Sequence, residues 1–330
     1  MANATFVDLP QEILDMIVDY GPDDDSSEFY ADCSLVCRSL RGRAQNHLYF
    51  KIELYSPDRI DELLEIIRNN SLIARYIRQI NTTSQQLIEN YGFDIPLATL
   101  FLLIKEHSPH SPLGMCIVNH TDDVFEHDSS PERHLSPEGL VSCLSQVHYL
   151  LVGSVEEFPA IILFSLEHLD VLCLERMSFD PELHVIEQRQ LLQLAAPVLR
   201  CVTTLQLADM DFFPSVLLSS FEALTTLSIK NVRFTKAAVA LQSPRPQITH
   251  IELSELNHKT VTRIVDSLVD VTHLIEFVDG TSPIYYQYYD AEESAKVTLA
   301  VQYVLHACKH SLQTLSLNCC ASPYLGSTIS

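Results

Sequence analysis

The sequence predicts an α/β chain: a short N-terminal helical module, then a stack of parallel strands alternating with helices. Three observations carry this. First, residues 202–212 and 224–234 are near-copies set 22 residues apart. They read Val-Thr-Thr-Leu-Gln-Leu-Ala-Asp-Met-Asp-Phe and Leu-Thr-Thr-Leu-Ser-Ile-Lys-Asn-Val-Arg-Phe, apolar at places 1, 4, 6 and 9, with Phe at 11. A third copy, 169–179, keeps the same frame. Second, places 4 and 6 share one face of an extended chain. One such strand cannot bury its apolar side alone, whereas copies stacked in parallel make one continuous core. Third, some spacers are helical. Val261, Ile264, Val265 and Leu268 sit at i, i+3, i+4, i+7, and Val297, Ala300, Val301, Val304, Leu305 and Cys308 form a second such stripe.

In chain order, Asp8 suits an N-cap and Pro10 a first helical turn. Ile13, Leu14, Ile17 and Val18 give the first helix its stripe, and Gly21-Pro22 ends it. An acidic loop, Asp23-Asp24-Asp25-Ser26-Ser27, leads to a second helix expected over 29–50. Residues 51–55 alternate as a first strand. Ile60, Leu63, Leu64 and Ile67 form an amphipathic helix, as do Leu97, Leu100, Phe101 and Ile104. Weak copies of the strand frame read Ile77-x-x-Ile80-x-Thr82 and Leu113-x-x-Cys116-x-Val118. Stronger copies start at Val147, Leu169, Val202, Leu224, Ile248 and Leu312. The copy at Val271 is degenerate, with Glu276 at an inward place, so its strand is expected to be shifted or to end there. The ninth place holds Val155, Met177, Met210, Val232, Leu256 and Cys320, so apolar packing must close each turn. The chain runs 13 residues past Leu317 without an evident closing cap, and an exposed last edge is expected.

A frame of L-x-x-L-x-L at this period reads as leucine-rich repeats. The N-terminal residues carry a second resemblance. Leu9-Pro10-x-Glu12-Ile13-Leu14-x-x-Ile17, then Leu35-Val36-Cys37-Arg38, then Arg43-Ala44 and Leu48-Tyr49, resemble an F-box. The pattern is closest to the fungal F-box proteins that continue into leucine-rich repeats. Leu40 stands where that family usually has Trp, and the chain has no Trp. The resemblance implies an F-box-like module over 1–50. It also implies an irregular leucine-rich-repeat solenoid over 51–330, strands on the concave face and helices on the convex face.

Composition limits the function. The 330 residues are 47% hydrophobic and 19% charged, a globular balance. No apolar run approaches the roughly 18 residues of a membrane span, and no secretory signal opens the chain. Nine Cys without a Cys-x-x-Cys fit a reducing compartment, cytoplasmic or nuclear. A net charge of −22 argues against nucleic acid and anionic membranes as partners.

Catalytic patterns are missing: no Gly-x-Ser-x-Gly, P-loop or His-Glu-x-x-His occurs. With 8 Gly, phosphate-cradling loops are not expected, and neither a cofactor nor a metal is implied. The stretch Asn119–Pro137 holds His120, Asp122, Asp123, Glu126, His127, Asp128 and His134. It lacks metal-ligand spacing and reads as a solvated loop. Cys308 and His310, two residues apart on a helix, do not share a face.

The outward strand places are the candidate target-binding floor: Val171, Cys173, Glu175; Thr204, Gln206, Ala208; Thr226, Ser228, Lys230; His250, Glu252, Ser254; and Thr314, Ser316, Asn318. A second candidate is the tyrosine run with Tyr285, Tyr286 and Tyr288, since Tyr is a frequent interface anchor. The F-box resemblance implies docking to the adaptor subunit of a cullin–RING (SCF) ubiquitin ligase. The matching positions are Leu9, Pro10, Ile13, Leu14, Ile17, Leu35, Val36 and Cys37, some of which must instead hold the helices together. The expected function is recruitment of a target protein, with no reacting group supplied by this chain. The rival expectation is a repeat scaffold whose helical cap recruits no ligase.

Overall fold

The computed structural model describes residues 9–21, 27–83, 94–118, 147–154, 166, 168–177, 197–235, 245–280 and 291–317. The chain is α/β, and every strand pairing among the described residues is parallel. It forms two compact units, Met1–Val147 and His148–Ser330.

The first unit opens with helices α1 (Gln11–Asp19), α2 (Ser27–Val36) and α3 (Arg38–Phe50). Helix α1 starts one residue later than expected. Pro10 flanks it in an extended conformation, and its carbonyl accepts from the N–H groups of Ile13 and Leu14. Asp8, the expected cap, and the acidic loop up to Ser26 lie outside the described residues. The helix expected over 29–50 is two helices. Cys37 is extended (φ −156°, ψ 163°) and breaks it, and Cys37 packs with Phe29 and Tyr30 against the module's core. That core is Leu14, Val18, Cys33, Leu40 and Ala44. Asp19 staples α1 to α3 through both oxygens to Arg43 (2.6 and 2.7 Å) and through Oδ1 to His47 (2.8 Å). The Tyr30 ring of α2 stacks on His47.

Strands β1 (Lys51–Glu53), β2 (Gln79–Thr82) and β3 (Leu113–Val118) follow in this unit, with α4 (Pro57–Asn69) and α5 (Asp94–His107) between them. Ser56 caps α4, its hydroxyl accepting from the Arg59 N–H. The expected stripes face inward: Ile60, Leu63, Leu64 and Ile67 of α4 are buried, as are Leu97, Leu100, Phe101 and Ile104 of α5. The frame read for β3 is off by one residue. Met115 pairs with Ile80 and Ile117 with Thr82, which puts Cys116 opposite Asn81 on the other face.

The second unit carries β4 (Val147–Gly153, opening on the boundary residue), β5 (Val171–Glu175), β6 (Thr204–Phe213), β7 (Thr226–Phe234), β8 (His250–Ser254), β9 (Glu276–Asp279) and β10 (Thr314–Leu317). The repeat frame is the register itself. Leu150, Leu172, Leu205, Leu227, Ile251 and Phe277 align as one buried row, and Val152, Leu174, Leu207, Ile229, Leu253 and Asp279 as the next. The degenerate copy is therefore shifted. It starts at Leu274 rather than Val271, Glu276 lies beside His250 on the outward face, and Asp279 is buried at the sixth place. Phe212 is not the register partner of Phe234. A bulge, with Phe212 at φ 59°, hands that place to Phe213, whose ring meets Phe234 edge-on.

Two features of the repeat escape a hydropathy reading. At place 2, Thr203, Thr225 and Thr249 each donate N–H and hydroxyl to the carbonyl of the preceding repeat's equivalent residue, Asp170, Thr203 and Thr225. At place 8, Ser154, Arg176, Asp209, Asn231 and Glu255 all take positive φ, between 48° and 56°. This left-handed residue turns the chain so that Met177, Met210, Val232 and Leu256 at place 9 point into the core, where all are buried.

Helix α6 (His258–Arg263) is capped by Asn257, whose Oδ1 accepts from Thr260 N–H, and runs into a π turn, Ile264–Leu268. Helix α7 (Ala291–Ala307) precedes β10. Arg263 ties α6 back to the earlier repeats: its Nη2 donates to the Thr235 carbonyl (2.7 Å) and to Ser215 Oγ (2.8 Å). Burial lowers that guanidinium's pKa. Leu315 and Leu317 of β10 occupy the apolar places yet are exposed (45% and 40%). No helix of the described residues is long and apolar enough to cross a membrane.

Candidate functional site

Two surfaces stand out. The first is on the helical module. An apolar helix with one neighbouring core exposes whatever part of its stripe exceeds that core. On α1, Leu14 and Val18 fill the core, while Ile13, Met16 and Ile17, and Leu9 just before the helix, are 38–50% exposed. Next to the Cys37 break, Leu35 and Val36 are 77% and 66% exposed. The eight matched positions thus separate. Leu14 is a core residue and Cys37 packs against the core, so neither belongs to the exposed surface. Leu9, Pro10, Ile13, Ile17, Leu35 and Val36 are exposed. Sequence reading missed Met16 and Tyr20 (80% exposed); the period of α1, followed one more turn, would have found Met16.

The arrangement has a clear cause. Leu40 is buried and completes the core that Leu14 and Val18 need. The Asp19–Arg43–His47 staple fixes the crossing of α1 and α3, and Gln11 Nε2 adds a bond to the Ser39 carbonyl at 3.0 Å. The Arg43 hydrogen bond, with help from His47, holds the Asp19 carboxyl at about 2.

The second surface is the outward face of β4 to β10. The register aligns Val171, Thr204, Thr226, His250, Glu276 and Thr314 in one row and Cys173, Gln206, Ser228, Glu252, Val278 and Ser316 in the next. Glu175, Ala208, Lys230 and Ser254 continue a third. The structure therefore brings together Gln206, Ser228, Lys230, His250 and Glu252, and adds Glu276 and Val278, which the misread β9 frame concealed. Their side chains are mutually engaged. Ser228 Oγ donates to Glu252 Oε2 (3.1 Å), Lys230 Nζ lies 4.0 Å from Glu255, and His250 Nε2 lies 3.9 Å from Glu276. Cys173 and Ser254 are buried despite their outward places. The Cys173 thiol donates to Gln206 Oε1, and burial pushes its pKa up, which disfavours the thiolate. Gly280 fits here for want of a side chain: a Cβ would collide with Ser254 Oγ.

Tyr285, Tyr286 and Tyr288, and Asn318, lie outside the described residues, as does the His-rich stretch 119–137. Among the described residues no group of three or more His, Cys, Asp or Glu is placed to hold a metal ion. No protein-family model matches the chain, and no curated protein matches it in sequence.

Proposed function

We propose that the chain is a target-recruiting subunit of a cullin–RING ubiquitin ligase, with an F-box-like module and leucine-rich repeats. The observation that carries this reading is the set of apolar residues left exposed on a module whose own core is already filled: Leu9, Ile13, Met16 and Ile17 at and along α1, and Leu35 and Val36 at the end of α2. Apolar exposure in excess of a filled core is what a protein partner would cover. The residues quoted for the F-box resemblance contribute all of these but Met16. The polar outward face of the strands would hold the target, and the chain supplies no reacting group. It acts by holding the target within reach of the charged enzyme.

Co-purification with the ligase adaptor tests the reading. Wild-type protein is expected to bring the adaptor down in stoichiometric amount. Ile13→Asp is expected to lose it while keeping the wild-type melting temperature, because Ile13 is exposed. Absence of the adaptor from the wild-type complex would leave the chain a repeat scaffold with a helical cap.

A further inference from the structure

The stripe of α1 holds two aliphatic pairs, not one. Leu14 and Val18 are buried, while Ile13 and Ile17, each one residue earlier, are exposed. At 3.6 residues per turn, one residue is a rotation of about 100°. Side chains of this size gain similar amounts from burial, and that gain has no direction. Hydrophobicity therefore seats α1 on the module without deciding which pair it buries and which it offers.

Directional contacts decide it. Gln11, Asp15 and Asp19 recur every four residues, so they line one side of α1. At the start of the helix, Gln11 Nε2 donates to Asp15 Oδ1 (2.8 Å) and to the Ser39 carbonyl of α3 (3.0 Å). At its end, Asp19 meets α3 at two residues. The Arg43 fork holds both carboxylate oxygens, a geometry that fixes angle as well as distance. His47 Nε2 lies 2.8 Å from Oδ1, and a carboxylate only accepts, so the imidazole donates. The His47 ring also stacks on Tyr30 of α2, with centroids 4.8 Å apart and planes 6° from parallel. Asp19 is thereby tied through His47 to the helix that ends in Leu35 and Val36.

We propose that Asp19 is the positioning residue of the docking surface. It sets the rotation of α1, so that Ile13 and Ile17 face the partner in fixed relation to Leu35 and Val36. It acts through the helix rather than by touching the partner. This role rests on the adaptor-docking reading above.

Methyl NMR of the full chain with a soluble gadolinium agent reads the rotation without any partner. In wild type the Ile13 and Ile17 methyls are expected to relax fast, and those of Leu14 and Val18 slowly. In Asp19→Ala that contrast is expected to shrink. In Asp19→Asn, whose Oδ1 still accepts, most of it is expected to remain. Adaptor affinity, measured by calorimetry well below the melting temperature of each variant, is expected to fall roughly fivefold or more in Asp19→Ala, since only the correctly turned fraction binds. It is expected to recover in part in Asp19→Asn. His47→Phe, which keeps the Tyr30 stack and drops the bond to Asp19, is expected to move both readouts in the direction of Asp19→Ala. A merely stabilising Asp19 would lower the melting temperature and leave the methyl contrast and the affinity unchanged, and that result overturns the proposal. Wild-type protein that binds no adaptor overturns the ligase reading, and the docking role with it, whatever the methyls show.

Discussion

Asp19 shows how one side chain can add an acid-sensitive step to the helical module. Its folded pKa, about 2, lies below the ordinary 3.8, mainly through the Arg43 hydrogen bond. A depressed carboxyl contributes stability that is fully present above the unfolded value and lost as pH falls through the folded one. The module is therefore expected to weaken between about pH 4 and pH 2, which proton NMR of α1 and α3 would follow. Asp19→Asn should remove that step. The group is partly exposed, so solvent screening keeps the effect small. Backbone shape gives a second residue-scale expectation. Arg176 holds φ at 51°, where a β-branched side chain is penalised. Arg176→Val should destabilise by about 1–2 kcal/mol, whereas Arg176→Gly should come within about 1 kcal/mol of wild type by chemical denaturation.

At the level of the strand, the same frame place has different worth in different repeats. Leu227 and Leu315 both occupy place 4, but Leu227 is fully buried and Leu315 is 45% exposed. Leu227→Asp should cost about 3 kcal/mol or more by placing an unpaired carboxylate in the core. Leu315→Asp should stay within about 1 kcal/mol, and thermal unfolding of the two variants separates them. The strands were legible where alternation has a phase. Val-Thr-Thr-Leu-Gln-Leu shows which residues face inward. The run Leu-Gly-Met-Cys-Ile-Val of β3 does not, being apolar or small at every place, so its frame slipped by one. In β9 the triplet spacing fits twice, Val271 to Leu274 and Leu274 to Phe277. The true frame was hidden by Asp279 standing at an apolar place. The helix break at Cys37 carries no Gly or Pro, and the π turn after Arg263 leaves no periodic trace.

For the molecule as a whole, the two candidate surfaces were unevenly readable. The amphipathic stripe of α1 announced its apolar residues, yet only packing shows that Leu14 turns inward while Ile13 and Ile17 do not. The pair Ile13→Asp and Leu14→Ala makes this a test of function against stability. The first should lose a docked partner at unchanged stability, and the second should lose about 2–5 kcal/mol of module stability. The outward rows were readable once the register was known, but β9's contribution was misplaced, and Cys173 and Ser254, read as floor, are buried.

Among the described residues β10 pairs with β9 alone and its apolar places are half exposed, which has a kinetic consequence. In a stack where each rung leans only on its neighbours, opening is cheapest at such a rung. Amide protons of β10 should therefore trade with deuterium soonest, β9 next, and β6 and β7 last. Slow exchange across β10 would mean that its outer edge is covered in solution.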